Sequence, residues 1–91
     1  MKTQAHVIVH GSVQGVLFRA YTKNLADRQG VTGWVRNLSN GDVEAVFEGE
    51  DIAVQKLVDF CRRGPPAALV ENIDVTEEQF SGKFRSFEVW H

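Results

Sequence analysis

GSVQGVLFR, at residues 11–19, is the stretch that joins a strand pattern to a helix pattern and so decides the fold. Before it, apolar and polar side chains alternate over residues 5–9, which is typical of a strand with one buried face. After it, apolar side chains recur at helical spacing from Phe18, and Gly30 is the residue type that most often follows a helix end. The sequence therefore predicts a strand, a turn with two glycines, and a helix from near Phe18 to Gly30.

The turn between these two elements contains the residue types of an anion-binding loop. Gly11 and Gly15 permit positive φ angles and a close backbone approach, so successive N–H groups can point into one concavity. The helix that begins near Phe18 adds the positive end of its dipole, and Arg19 adds a planar guanidinium for phosphate oxygens. The lysine of a Walker loop and the third glycine of a dinucleotide-binding loop are both missing. Both nucleotide-binding interpretations are therefore weakened, and taken alone two glycines favour a plain strand-to-helix turn with Arg19 as an exposed helix residue. A second segment changes this preference.

A second segment, GVTGWVRNLSNGDVE at residues 30–44, predicts a β-hairpin. A strand runs through Val35, a turn falls at Asn40 and Gly41, and a second strand returns from there. Asn37 lies where the first of these strands ends. Taken alone, an Asn at this position is an ordinary strand-end or turn residue.

The rest of the chain predicts a second helix and two more strands. Negative charge at Glu50 and Asp51 begins a helix whose apolar face ends before Gly64. A fourth strand with imperfect alternation follows, then a polar loop over residues 77–83, and then a last strand. The apolar residues of these two strands are Val70, Ile73, Val75, Phe87 and Val89. The order β-α-β-β-α-β of the first six elements predicts an α+β fold, a ferredoxin-like split βαβ sandwich with a mostly antiparallel sheet and two helices on one face.

Composition and charge describe an ordinary globular chain. The 91 residues are 43% hydrophobic and 24% charged, which predicts one domain over residues 1–91. The net charge of −2 offers no general attraction for nucleic acid or an anionic membrane, so positive potential must be local, at Arg19. The sequence has no long apolar run of the kind found in a signal peptide or a membrane span, so the cytoplasm is the expected location.

The single cysteine and the three histidines argue against metal chemistry. Cys61 lies on the apolar stripe of the second helix and is expected to be a small core residue. His6 and His10 share one face of the first strand about 13 Å apart at strand rise, which is too far for one metal ion to bridge. Both are expected to be surface residues. We assign no role to His91, and we expect no metal and no cofactor.

Together these segments resemble the acylphosphatase family, whose signatures pair a G-x-V-Q-G-V-x-F-R loop with a G-W-V-x-N strand end. GSVQGVLFR at residues 11–19 and GWVRN at residues 33–37 match both signatures without substitution. The resemblance also includes GPP at residues 64–66 and the closing apolar pattern over residues 84–89, so it spans nearly the whole chain.

The resemblance implies both a reaction and the residues that perform it. An acylphosphatase hydrolyses acyl phosphates to a carboxylate and inorganic phosphate, which implies Arg19 as the phosphate-binding residue and Asn37 as the residue that orients the attacking water. The implied partner is a small acyl phosphate, and we expect a monomer that needs no nucleic acid, membrane, metal or cofactor. The phosphate-binding positions implied for the loop are Ser12, Val13, Gln14, Gly15, Val16, Leu17 and Phe18, together with Arg19.

The chemistry of an acyl phosphate suits these residues. Its carboxylate is a good leaving group, so hydrolysis needs neither a covalent nucleophile nor a metal-bound hydroxide. Backbone amides and one guanidinium can stabilise charge on the phosphoryl oxygens, while the Asn37 carboxamide, which donates and accepts, aligns water with the leaving oxygen. Neither motif contains a general base, so we expect the water proton to pass to an oxygen of the substrate.

Two other functions stay open at the level of the sequence. Trp34 and nearby aromatic residues suggest a stacking platform for single-stranded RNA, but the RNA-binding signature is missing and the charge is unfavourable. A domain that binds a phosphorylated metabolite without turnover needs only Arg19 and the loop amides. Asn37 distinguishes hydrolysis from such binding, because hydrolysis also requires a group that places water.

Overall fold

The computed structural model describes residues 1–91, and its elements follow one another in the predicted order. The first helix begins at Phe18, as expected, and ends where Gly30 adopts a left-handed conformation and donates its N–H to the last turn. In chain order the elements are β1 Lys2–Ser12, α1 Phe18–Gln29, β2 Thr32–Asn37, β3 Val43–Glu50, α2 Asp51–Arg63, β4 Leu69–Glu78 and β5 Phe87–Trp90.

The five strands form one sheet in the order β4-β1-β3-β2-β5. Every neighbouring pair is antiparallel except β2 and β5, which are parallel. The first four strands and the two helices form the split βαβ arrangement, so the predicted ferredoxin-like α+β fold is confirmed. Strand β5 extends the sheet beyond β2. Helix α2 packs on β1, β3 and β4, whereas α1 packs on β2 and β5.

The core lies between the two helices and one face of the sheet. Alternate side chains of β1 are buried there, and α2 contributes a broad apolar face. Cys61 belongs to this face, as predicted, and burial raises the pKa of its thiol to about 12. The largest fully buried apolar side chains are Phe47, Phe87 and Leu57.

Strand β4 is longer than the sequence indicates. The polar loop predicted over residues 77–83 was placed too early, because the first two residues of that segment still pair with β1. Strand β4 lies at the edge of the sheet and pairs on one side only, so most of its side chains are exposed and its composition is that of a loop. Its imperfect alternation also has a cause. The register shift between His10 and Gly11 leaves Glu71 without a partner, as a bulge.

Aromatic stacking attaches β5 to the rest of the sheet. On the helix side, Phe87 stacks on Phe47 with ring centroids 5.7 Å apart. On the open side of the sheet, Trp90 stacks on Trp34 at 4.3 Å, with the two ring planes 9° apart. Phe87 is buried, as predicted, and Val89 is partly buried against the core. This packing positions the end of β5 beside the start of α1.

Candidate active site

The two glycines of the 11–19 segment have different roles. Gly11 has a φ of +133° near the end of β1, and a Cβ atom there would lie 2.2 Å from the Leu69 carbonyl oxygen. The missing side chain at Gly11 therefore allows β1 to pair closely with β4. Gly15 has a φ of +75° with open space around it, so it supplies the left-handed turn of the loop itself.

A residue other than glycine also adopts left-handed backbone in this loop. Leu17, which directly precedes α1, has φ 64° and ψ 23°, a conformation that costs an L-residue about 1–2 kcal/mol. Its side chain is 70% exposed and does not cap the helix, so neither burial nor capping offsets the strain. Backbone strain of this kind clusters at ligand sites. In the sequence, only a helix start without a capping side chain indicates that Leu17 is unusual.

The backbone of the loop offers unpaired hydrogen-bond donors. The N–H groups of residues 13–17 donate no hydrogen bond to any protein group. Positive φ angles at Gly15 and Leu17 are typical of the concave N–H arrangements that bind anions. The first turn of α1, from Phe18, adds its own N–H groups and the positive end of the helix dipole. The 12–18 loop can therefore bind an anion through backbone donors.

Two side chains of the 12–18 loop itself, one directed to α2 and one to the hairpin between β2 and β3, fix its position. Phe18 is 2% exposed and forms an aromatic pair with a residue of α2. The Gln14 Nε2 donates to the carbonyl oxygens of Leu38 and Asp42, at 2.7 and 2.8 Å. Both acceptors belong to the hairpin loop, residues 38–42, which connects β2 to β3. The sequence analysis placed Gln14 in the phosphate-binding loop but missed this contact.

Arg19 lies in the first turn of α1 and is partly buried. Its Nη1 donates to the carbonyl oxygen of Trp90 at 2.9 Å and lies 3.3 Å from Nδ1 of His91. No carboxylate forms an ion pair with it. A guanidinium has five N–H groups, so most of its donors are available for an anion.

Arg19, the 12–18 loop and Asn37 line one cavity of about 640 Å³. Asn37 is the last residue of β2 and is partly buried, and its carboxamide makes no hydrogen bond to the protein. Lys23 and Asp27 of α1 form part of the wall as an ion pair of 3.0 Å. Because Asp27 neutralises Lys23, Arg19 is the main source of positive charge in the cavity.

The structure brings together most of the residues that the resemblance implied for binding phosphate or orienting water. Those that line the cavity are Val13, Gly15, Leu17, Phe18, Arg19 and Asn37. The other three lie outside the lining. Ser12 pairs with β4 at the end of β1, Gln14 contacts the hairpin loop, and Val16 packs against the core.

The two histidines of β1 are partly exposed, as expected of surface residues, and both contact carboxylates. His10 bridges Asp74 and Asp42 through its two ring nitrogens, each at 2.8 Å, and the hydrogen bond to Asp74, then that to Asp42, raises the pKa of His10. His6 contacts Glu44 at 2.6 Å. No group of three or more His, Cys, Asp or Glu side chains is arranged to hold a metal ion.

Comparison with known proteins gives the same answer as the two motifs. The family model described as Acylphosphatase matches residues 5–89. The chain belongs to the acylphosphatase family. It is 60% identical to the acylphosphatase of Gloeobacter violaceus, over 94% of this chain and 91% of that one, and 54% identical to that of Syntrophus aciditrophicus, over 98% and 93%. The crystal structure of acylphosphatase from Bacillus subtilis has a TM-score of 0.92 and 36% identity and covers 100% of each chain.

Acylphosphatases are hydrolases that act on acid anhydrides, here the acyl phosphates, so the function implied by the resemblance is confirmed at this level. The motifs at residues 11–19 and 33–37, which carried the resemblance, form the loop, the start of α1 and the end of β2. These are the elements of the acylphosphatase chain that meet at the cavity. None of its helices combines the length and the apolar character needed to cross a membrane.

Proposed function

We propose that this protein hydrolyses the carboxyl–phosphate bond of acyl phosphates without a metal, giving a carboxylate and inorganic phosphate. The 12–18 loop and Arg19 hold the phosphate, and Asn37 orients the attacking water. One observation carries the proposal: the consecutive N–H groups of residues 13–17, unpaired within the protein, belong to a loop that shares a cavity with Arg19 and Asn37.

The phosphate end of the substrate is held by donors that the protein leaves unpaired. Backbone N–H groups at a helix start attract an anion through the hydrogen bonds they offer and through the helix dipole. Arg19 adds full positive charge, and its hydrogen bond to the Trp90 carbonyl holds one edge of the guanidinium in place. Such fixed donors stabilise the charge that spreads over the phosphoryl oxygens in the transition state.

Asn37 supplies the position of the water. A carboxamide accepts a hydrogen bond from water through its oxygen and donates one through its nitrogen. The Asn37 carboxamide has no protein partner, and its place at the end of β2 is fixed by pairing with Val43. Water held there attacks phosphorus while the bond from phosphorus to the carboxylate oxygen breaks.

The water proton passes to a phosphate oxygen or to the leaving oxygen of the substrate. Among the residues that line the cavity, Asp27 and His91 are the only carboxylate and imidazole. Asp27 is paired with Lys23, and His91 lies against the Arg19 guanidinium. We expect Asp27→Ala and His91→Ala to keep the pH dependence of kcat/KM, and a profile that shifts in either variant would assign a general base instead.

The experiment is phosphate release from an aryl acyl phosphate in the presence of a chelator. Arg19→Ala removes a charged transition-state donor, so it weakens phosphate binding and lowers turnover by about a hundredfold or more. Asn37→Ala mainly lowers kcat. Arg28→Ala and Asn72→Ala are matched controls, because both residues are exposed and lie outside the cavity.

Three results would contradict this mechanism. The first is equal activity in the wild type, Arg19→Ala and Asn37→Ala proteins. The second is activity that the chelator abolishes and a divalent metal restores. The third is binding of inorganic phosphate with no hydrolysis of any acyl phosphate, which would support a metabolite receptor instead.

We further propose that the protein acts as one domain over residues 1–91, as a cytoplasmic monomer without a nucleic-acid partner. The net charge of −2 supports the absence of a nucleic-acid partner. The buried, unpaired Cys61 supports a reducing compartment such as the cytoplasm. Light scattering coupled to size-exclusion chromatography tests the monomer, and a stable dimer would contradict it.

A further inference from the structure

We propose that Gln14 is a positioning residue, whose carboxamide holds the 12–18 loop at a fixed place relative to Asn37. The inference rests on the mechanism proposed above, in which the loop holds phosphate and Asn37 holds water. It concerns the side chain of Gln14, which lies outside the lining of the cavity and acts on the reaction only through the two elements it connects.

Both N–H groups of the Gln14 carboxamide have an acceptor in the hairpin loop. The Nε2 of Gln14 has two hydrogens, and it donates to two carbonyl oxygens, those of Leu38 at 2.7 Å and Asp42 at 2.8 Å. Leu38 directly follows Asn37 in the chain. The Gln14 carboxamide therefore holds the backbone one residue away from the group that orients water.

The hairpin loop that accepts these hydrogen bonds is a turn closed by its own backbone hydrogen bonds. The Leu38 carbonyl oxygen also accepts from the Gly41 N–H at 3.2 Å, and the Asp42 carbonyl oxygen also accepts from the Leu38 N–H at 2.8 Å. Each carbonyl therefore uses both lone pairs. Because the hairpin loop is closed by its own hydrogen bonds, Gln14 contacts a preformed surface.

Side chains attach this turn to the sheet. The Asp42 carboxylate contacts Nδ1 of His10 at 2.8 Å and accepts from Asn40 at 3.2 Å, while Nε2 of His10 contacts Asp74 of β4. The turn that receives Gln14 is thus linked to β1 and β4. In contrast, no other hydrogen bond joins the 12–18 loop to the hairpin loop.

The kinetic consequence follows from geometry. A misplacement of about 1 Å between phosphate and water can lower the rate of attack by about a hundredfold. In Gln14→Ala, the left-handed angles of Gly15 and Leu17 and the charge of Arg19 remain, so phosphate still binds. We expect kcat to fall about tenfold while the inhibition constant for inorganic phosphate changes less than about threefold.

The test is a mutant cycle with Asn37→Ala, read by kcat and by the inhibition constant for phosphate. If Gln14 acts through Asn37, the tenfold loss is absent when Gln14→Ala is added to Asn37→Ala. Gln55→Ala is the matched control, because the Gln55 Nε2 donates to Asp59 on α2, away from the cavity, and its loss leaves kcat unchanged.

A second variant gives a signature that loss of folding would not. In Gln14→Glu the introduced carboxylate faces two carbonyl oxygens and cannot donate, whereas its protonated form donates one O–H. We expect the kcat of this variant, relative to wild type, to rise as the pH falls from 7 toward 4.5.

Two results would overturn the proposal. One is a loss of phosphate affinity in Gln14→Ala that is as large as the loss of kcat, with both losses still present when Gln14→Ala is added to Asn37→Ala. The other is a flat kcat ratio for Gln14→Glu across that pH range. Failure of the mechanism itself is a separate result, because it would appear as full activity in Arg19→Ala and Asn37→Ala with Gln14 intact.

Discussion

The 12–18 loop and the 79–86 loop both contain backbone N–H groups that no helix or strand pairs, but only in the second loop does a side chain of the protein accept from them. In the 79–86 loop, the Glu48 carboxylate accepts from the Ser81 N–H at 2.7 Å, the Ser81 hydroxyl at 2.6 Å and the Gly82 N–H at 3.1 Å. In the 12–18 loop, no carboxylate or carbonyl accepts from residues 13–17. Similar donors thus stabilise the fold in one loop and stay unpaired within the protein in the other.

Glu48 shows how strongly such donors favour negative charge. The residue is 1% exposed, and burial by itself raises the pKa of a carboxyl. The hydrogen bonds from Ser81, Gln4 and Gly82 together outweigh burial, so the pKa of Glu48 is lowered. A phosphate dianion in the 12–18 loop would gain from the same chemistry, with Arg19 in addition.

The largest effect expected from this comparison is on stability, in Glu48→Gln. The variant removes the charge that satisfies the 79–86 loop, and we expect the free energy of unfolding to fall by about 2–3 kcal/mol. Urea unfolding at pH 7 measures the loss. Glu77→Gln is the control, because Glu77 is exposed and makes no hydrogen bond through its side chain.

The same substitution also changes the acid side of the stability curve. Because the folded pKa of Glu48 is lowered, its contribution is complete above the unfolded value of about 4.3 and is lost as the pH falls through the folded value. In Glu48→Gln this residue no longer titrates, so we expect the free energy of unfolding of the variant to fall less than that of the wild type as the pH falls below that value. If the kcat/KM of folded Glu48→Gln fell as far as that of Arg19→Ala, the separation between a structural and a ligand-binding loop would be wrong.

A smaller effect is expected when the 12–18 loop receives its own carboxylate. Leu17→Asp places a negative charge beside the unpaired N–H groups, where it competes with phosphate and repels it. We expect KM to rise about tenfold relative to Leu17→Asn, which is equally tolerant of left-handed backbone but neutral. Steady-state kinetics on an aryl acyl phosphate measure the ratio. Equal KM values in the two variants would show that the loop does not hold the anion.

The smallest effect concerns His10, which supports the hairpin loop. Asp74 and Asp42 raise its pKa, so its contribution to stability is complete below the unfolded value of about 6.5 and is lost as the pH rises through the folded value. We expect His10→Gln to be less stable than wild type at pH 6 and closer to it at pH 9. Urea unfolding at the two pH values checks this, and a gap that widens toward pH 9 would reverse the assignment.

Much of the fold was readable from the sequence because its signals are local. The strand that precedes Gly11, the helix from Phe18 to Gly30 and the hairpin around Gly41 follow from alternation, helical spacing and turn residues. Strand β4 was placed only roughly, since an exposed edge strand with a bulge at Glu71 has the composition of a loop.

At the candidate site, the guanidinium of Arg19 suggests anion binding by its chemistry, whereas Asn37 is singled out only by the resemblance to the family, and both residues line one cavity. The contacts that position these residues were not readable. Gln14 donates to a hairpin-loop residue 24 positions away in the chain, and Glu48 accepts from a residue of the 79–86 loop 33 positions away. The residues next to Gln14 and Glu48 in the sequence do not indicate these partners. The left-handed angle of Leu17 likewise depends on where the loop must meet α1.

The most direct test of the central claim is a titration of the ¹⁵N-labelled protein with inorganic phosphate, followed by amide chemical shifts. We expect the signals of residues 13–18 to move in a saturable way, those of Ser81 and Gly82 to stay in place, and Arg19→Ala to weaken the change. Saturable binding that moves the 79–86 loop, or that leaves residues 13–18 unmoved, would contradict it.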